Sequence, residues 1–195
     1  MIDYQMEEKL RQTLSSRRKK RTRNKEMVEA AVLVPIFYKE GEYHILFTLR
    51  SNQLTYHKGQ VSFPGGACSE VDSSLLDTAL RESWEEIGLE AEDVEILGEL
   101  DDVVTTTGFV ISPFIAFIPY PYRFKKNRNE IDEIFDMPLS VLFDKANFRQ
   151  ESQVIGDKAV ASYFYEYGGW VIWGATARIV KQFLDVLQFE SGAQS

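Results

Sequence analysis

Apolar residues recur along this chain with two different periods, and the switches between them mark the predicted elements. Residues 27–38 are a nearly continuous apolar run rich in Ala, Val and Ile, read as a strand. Lys39-Glu40-Gly41-Glu42 then reads as a turn into a second strand over residues 43–50, and the two are expected to pair. Residues 52–59 form a polar loop, residues 60–63 a short strand, and Phe63-Pro64-Gly65-Gly66 its end. From Ser74 the period becomes helical: Leu75, Leu76, Ala79, Leu80, Ser83, Trp84 and Ile87 form an apolar stripe, Ser74 with Asp77 resembles a capping box, and Gly88 suits the position that ends a helix. Strands follow near residues 94–100 and 109–118, connected through Thr105-Thr106-Thr107-Gly108, and a helical segment is expected to start near Pro138. Residues 163–165 and 170–173 read as a hairpin around Glu166-Tyr167-Gly168-Gly169, ahead of a closing helix over residues 175–189. There are no repeats or low-complexity linkers, and periodicity alone supports an α+β domain with one sheet covered by helices.

The helix of residues 74–87 also carries the chemistry. Glu82, Glu85 and Glu86 stand three and four positions apart and therefore share a face, placed off the apolar stripe. Like charges at that spacing cost about 0.2–0.5 kcal/mol per pair, so a compensating cation is expected, and hard divalent cations take carboxylate oxygens. An acidic patch alone more often means a solvated face. Here it follows Gly65-Gly66, a pair that lets backbone approach a ligand closely, with Pro64 stiffening the entry.

These residues resemble a known family. Residues 66–89 are similar to the signature of the Nudix hydrolases, G-x5-E-x7-R-E-U-x-E-E-x-G-U with U aliphatic. Asp72 stands at the first acidic position, Arg81 falls one residue late, and Ser83 replaces the aliphatic residue, while the rest of R-E-S-W-E-E-I-G-L is intact. Leu46-Phe47-Thr48-Leu49-Arg50-Ser51 and residues 57–66 resemble the additional motif of coenzyme A diphosphatases, which share the longer box; Thr55 departs from it where Arg is usual. Weaker likeness continues through Glu130-Ile131-Asp132-Glu133-Ile134-Phe135 and residues 172–177.

The resemblance implies an α/β fold, the α/β/α sandwich with mixed sheets, over residues 27–195, preceded by a basic arm or helix at residues 1–26. It implies metal-dependent hydrolysis of a nucleoside diphosphate linked to another moiety, foremost coenzyme A or its derivatives, cleaved to 3′,5′-ADP and 4′-phosphopantetheine. Glu82, Glu85 and Glu86, with the Gly66 carbonyl, are the expected ligands; all-oxygen ligation favours Mg2+ or Mn2+ over zinc. Arg81 is expected to orient a glutamate, and Glu82 is the first choice of general base, with Glu130 or Glu133 next. Arg50, His57, Lys58 and Gln60, joined by Thr48, are expected at the substrate. ADP-ribose, NADH or another dinucleotide is the alternative substrate, kept open by Thr55, and a silent nucleotide-binding module is a further alternative that the intact glutamates argue against.

Composition agrees. The chain has 195 residues, enough for a sizeable single core, and 44% hydrophobic content. The longest apolar stretch, residues 109–122, is interrupted by Ser112, Pro113, Pro119 and Pro121 and falls short of the roughly 18–20 residues that span a bilayer. No membrane association is expected, and the absence of a signal-like N-terminus with the lone Cys68 fits a reducing, cytoplasmic setting. Cys68 is not read as a nucleophile, since the proposed chemistry needs only water. Residues 1–25 hold nine Lys or Arg against three acids within a chain of net charge −8, so the body is strongly acidic. Arg17-Arg18-Lys19-Lys20-Arg21-Thr22-Arg23 is read as a solvated, partly helical lead-in, and the acidic body argues against nucleic acid as partner. A small-molecule nucleotide is the expected partner, and a homodimer stays open. Tyr163, Phe164, Tyr165, Trp170 and Trp173 are read chiefly as core, one of them available to stack on an adenine, and His44 as structural.

Overall fold

The computed structural model describes residues 5–52, 58–155 and 158–191. Its centre is a pair of strands, β1 (Val28–Lys39) and β2 (Glu42–Arg50), joined by Glu40 and Gly41 at φ 53° and 97°. Two consecutive positive φ values make the tight turn whose twist matches that of an antiparallel hairpin. The register runs from Lys39↔Glu42 to Ile36↔Ile45 and then stops. Beyond that point the strands splay, and β4 (Gly65–Ala67) enters to pair with Ala30–Val32 of β1, while β3 (Val61–Ser62) pairs with the end of β2. This splay makes room for the site.

Downstream, α2 (Leu75–Ile87) is followed by β5 (Glu95–Glu99), β6 (Val103–Val104), β7 (Phe109–Phe117) and β8 (Ile131–Pro138). β7 lies parallel to β1 over nine registered pairs, and β8 lies antiparallel to β2, which completes a mixed eight-stranded sheet with the central order β3-β2-β1-β7-β5. The short α3 (Leu139–Phe143) leads to β9 (Phe148–Ile155), β10 (Lys158–Tyr167) and β11 (Trp170–Ile172), a separate antiparallel sheet, and then to α4 (Gly174–Ser191).

Alternation along β1 feeds two cores. Ala31, Leu33 and Phe37 point to one side, where Ala79 and Ile87 of α2 cover them together with Phe114 and Leu46. Val34 and Ile36 point to the other, where they meet Ile45, Phe47, and Val180 and Phe183 of α4. An N-terminal helix, α1 (Gln5–Ser16), adds Leu10 and Leu14 to this second core at 1% and 6% exposure. Helix, sheet and helix thus stack as an α/β/α sandwich with a mixed sheet, as expected. Complete burial of a side chain such as Phe47 or Phe183 is worth about 1.5–3 kcal/mol, so the two cores hold the sheet's strands in place around the splay.

Most predicted elements are present close to their expected bounds. β8 and β9 are strands that the sequence pattern does not show: I-D-E-I-F-D-M-P lacks a clean two-residue period and meets β2 across a register shift beside Arg50, and F-R-Q-E-S-Q-V-I is largely polar. The basic run is not merely solvated. Arg17 pairs with Asp101 and Lys19 with Glu99 at 2.7 Å and Asp102 at 3.0 Å, and Arg21 lies 3.7 Å from Glu99. Thr22 N–H donates to Asp102 at 2.7 Å, so the segment is bound along the acidic loop before β6. Trp173 corrects the core reading of the aromatics, being 47% exposed, whereas Tyr165 is buried and Trp170 stacks on Phe135 with ring centres 4.4 Å apart. His44 is structural as read: buried, with Nδ1 2.6 Å from an Asp136 oxygen. No described helix is long and apolar enough to cross a membrane.

Candidate active site

The site forms where α2 passes the end of β4. Ser74 Oγ accepts the Asp77 N–H at 3.1 Å to start the helix, and Gly88 at φ 66° ends it, with Leu89 N–H donating to the Ser83 carbonyl at 3.4 Å. The buried face is rotated from the expected stripe. It runs through Thr78, Ala79, Ser83, Glu86 and Ile87, while Trp84 is 54% exposed. Hydropathy favours Trp84 over Glu86 for the interior. The fold reverses that choice because Ser83, small and with its hydroxyl donating to the Ala79 carbonyl at 2.7 Å, lets the helix sit against the sheet, which turns Glu86 inward. The expectation that all three carboxylates lie off the buried face is therefore wrong for Glu86, which is 2% exposed.

Glu86 Oε2 accepts the Gly65 N–H at 3.2 Å, and its Oε1 lies 3.5 Å from Nη1 of Arg50. Burial pushes its carboxyl up to about 8, against the opposing pull of Arg50 and Gly65. Burial likewise raises Glu82, one turn earlier, and Arg81 opposes it. Glu82 packs on backbone: a Cβ added to Gly66 would stand 2.5 Å from its Cδ and 2.6 and 2.7 Å from its oxygens. Gly66 is thus required for the close approach, and Gly65, at φ 147°, for its conformation and because a Cβ there would meet the Ala31 carbonyl at 2.3 Å. Both carboxylates converge on the glycine pair.

Arg81 organises the remainder. Its Nε and Nη2 donate to the two oxygens of Asp72 at 2.8 and 2.9 Å, and Nη1 donates to Glu82 at 2.9 Å and Glu85 at 3.1 Å. A further bond goes to the Ala67 carbonyl at 3.3 Å. Asp72 also accepts from Ser69 N–H and the Thr78 hydroxyl, at 2.8 and 2.9 Å. The bidentate Arg81 contact holds the Asp72 carboxyl far below the usual range, and the same contact raises Arg81. Asp72 therefore clamps Arg81 by a fork-to-fork contact, a role that the nine-residue spacing alone does not reveal.

Of the other expected site residues, Glu130 lies near the cluster. Its charge is felt at Glu82 and Glu86, and it accepts from the Asn127 amide at 2.9 Å. Asn127 was not singled out from the sequence; its own N–H donates to the Glu86 carbonyl at 2.9 Å, a link across forty-one positions that only folding creates. Glu133 is exposed and opposite Leu49 on β2, and the pleat puts that pair on the face away from Arg50 and α2. Thr48 is buried with its hydroxyl on Ser62. Gln60 accepts the Arg50 N–H through its carbonyl at 3.0 Å, and Lys58 is exposed in the adjacent turn. His57 and Thr55 lie outside the described residues.

No three acidic, His or Cys side chains among the described residues stand gathered as a ready metal cage. Arginines hold the glutamates instead. The donor set nonetheless suits a hard cation: Glu82 lies against Gly66 and Glu86 against Gly65, each is raised by burial, and Glu82 is felt at Glu86 as a like charge. Such carboxylates are costly in isolation, and a divalent cation would offset that cost.

A NUDIX domain profile matches residues 27–155. Two proteins named "Uncharacterized Nudix hydrolase NudL" are similar at sequence level. That of Pectobacterium atrosepticum is 37% identical over 154 residues, 79% of this chain and 80% of its own length. That of Photorhabdus laumondii is 35% identical over 159 residues, covering 82% and 84%. Among solved structures, the MutT/nudix family protein from Enterococcus faecalis superposes with a TM-score of 0.58 at 18% identity, over 86% of this chain and 64% of that one. DR0079 from Deinococcus radiodurans gives 0.55 at 14% identity, over 80% and 82%. At these identities the structures show a common fold only.

Proposed function

We propose, from the premise that this chain belongs to the NUDIX family, that it hydrolyses the phosphoanhydride of a nucleoside diphosphate linked to another moiety, with coenzyme A or a derivative as substrate and Mg2+ or Mn2+ as cofactor. The observation that carries the reading is the convergence of Glu82 and Glu86 on the Gly65–Gly66 backbone under a helix that buries one of them. In the reaction a water oxygen bonds to one phosphorus, the bond from that phosphorus to the bridging oxygen breaks, and coenzyme A yields 3′,5′-ADP and 4′-phosphopantetheine.

Glu82, Glu85, Glu86 and the Gly66 carbonyl would hold the cation, which when bound supplies charge neutralisation at phosphate and a lowered pKa for water. The chain's own groups do the rest. Glu82 would take the proton from water, and Glu130, whose charge is felt at Glu82, is the next choice. The pleat favours Glu130 over Glu133 for that role. Arg81, fixed by Asp72, orients Glu82 and Glu85. Arg50, Lys58 and Gln60, and His57 by its place in the sequence motif, would supply cationic and polar contacts to the diphosphate.

The test is a panel of coenzyme A, ADP-ribose, NADH and nucleoside triphosphates with Mg2+ or Mn2+, products resolved by mass. Coenzyme A should give the highest kcat/KM. A tenfold preference for ADP-ribose or NADH would move the substrate and leave the reaction class; equal activity in excess EDTA would remove the metal.

A further inference from the structure

Arg50 is held by backbone on both sides. Its N–H donates to the Gln60 carbonyl and its carbonyl accepts from the Gly59 N–H, both at 3.0 Å, and a bulge after Leu49 shifts its register against β8. The side chain reaches Glu86 only loosely, at 3.5 Å, although Glu86 is almost wholly buried. Its Nε is shielded from solvent and, among the described residues, is the one buried side-chain polar atom without a hydrogen-bond partner. A guanidinium carries five donors in a planar fork, and a buried donor left unmade is costly. The loose pair and the spare donor mean that Arg50 is not optimised for Glu86. The fork geometry matches a tetrahedral oxyanion, which could accept from Nε and an Nη together.

We infer that Arg50 couples metal and phosphate binding: in the free protein it is the counter-ion of Glu86, and it leaves that carboxylate for substrate phosphate as a divalent cation takes its place. The inference rests on the metal-site reading above. Each ligand removes the other's competitor, so the two bind with positive coupling, and the coupling is reciprocal. A pair closed about nine-tenths of the time weakens apparent metal affinity about tenfold. Neutralising a buried carboxylate by a residue that later serves the substrate also keeps the site intact before either ligand arrives.

The test is Mn2+ binding followed by the electron-spin resonance of free Mn2+, without substrate, for the wild type, Arg50→Gln, Arg50→Ala and Glu86→Gln. Both Arg50 variants should bind Mn2+ about tenfold tighter than the wild type. Sulfate, a phosphate mimic, should tighten Mn2+ binding to the wild type relative to chloride at equal ionic strength, and should lose that effect in the Arg50 variants. Folded Arg50 variants with unchanged or weaker Mn2+ binding would overturn the inference, as would a wild type indifferent to sulfate. The sulfate comparison needs no variant, so failure of a substitution to fold does not protect the idea. If Glu86→Gln binds Mn2+ as well as the wild type, the metal-site reading itself fails and this inference with it. If Glu86→Gln weakens binding while Arg50 has no effect, only the inference fails.

Discussion

Alanine at Gly65 and at Gly66 should separate folding from catalysis one residue apart. At Gly66 the added Cβ would lie 2.5 Å from Glu82 Cδ, and to restore a carbon contact of about 3.5 Å the carboxylate must retreat by about 1 Å. The obstacle is the far end of a flexible side chain, and Gly66 is not among the positive-φ glycines, so stability should change by no more than about 1 kcal/mol. A displacement of about 1 Å in a catalytic group costs on the order of 10^2-fold in rate. At Gly65 the Cβ would instead meet backbone, the Ala31 carbonyl at 2.3 Å and Val32 Cα at 2.6 Å, with φ at 147°. That substitution should cost several kcal/mol, on the order of the 1–3 kcal/mol of a strained backbone plus the disruption of β4 against β1. The assay is thermal melting by circular dichroism for both variants beside kcat for the best substrate of the panel. A Gly66→Ala enzyme with wild-type kcat would show that Glu82 does not act from the position seen here, and a Gly66→Ala protein as unstable as Gly65→Ala would show that the steric argument misidentifies what the glycine protects.

Other outcomes follow from the same geometry. Glu86→Gln should lower kcat by about 10^2-fold or more, the scale expected when a charged metal ligand is lost; a variant with wild-type kcat would contradict this. Arg50→Ala and Lys58→Ala should raise KM about ten- to a hundredfold with little change in kcat, the scale of a charge-assisted contact of roughly 1.5–3 kcal/mol, and a fall in kcat at constant KM would place them in the transition state. Asp102→Asn should destabilise by about 1–3 kcal/mol at pH 7, since Asp102 accepts from Ser112 at 2.7 Å and meets Lys19 at 3.0 Å. Although burial opposes ionisation of Asp102, hydrogen bonds from Ser112, Thr22 and Lys19 hold its carboxyl below the ordinary value. Its contribution is therefore present above about pH 4 and lost as pH falls through the lowered folded value, so the gap between wild type and Asp102→Asn in chemical melts should close in acid; a gap that widens would reverse the assignment.

What the sequence determined by itself is what local pattern can carry. The strands of β1 and β2, the turn at Glu40-Gly41 and the caps of α2 depend on neighbours within a few positions, and R-E-S-W-E-E-I-G-L is contiguous, so the glutamate cluster was legible directly and the sandwich fold through the family resemblance of that motif. The glycine pair was legible as a site of close approach, though not what approaches it. Tertiary structure decided which glutamate is buried. Hydropathy places Trp84 inside and Glu86 outside, and only docking of α2 on the splayed sheet, through Ala79 and Ser83, reverses them. It also decided that Asp72 clamps Arg81, that Asn127 reaches Glu86 and Glu130, and that the basic run is bound to Glu99, Asp101 and Asp102. Except for Asp72 with Arg81 and Asn127 with Glu130, these partners stand tens of residues apart, and pairing over such distances has no periodicity to read; it exists because the fold brings distant segments together.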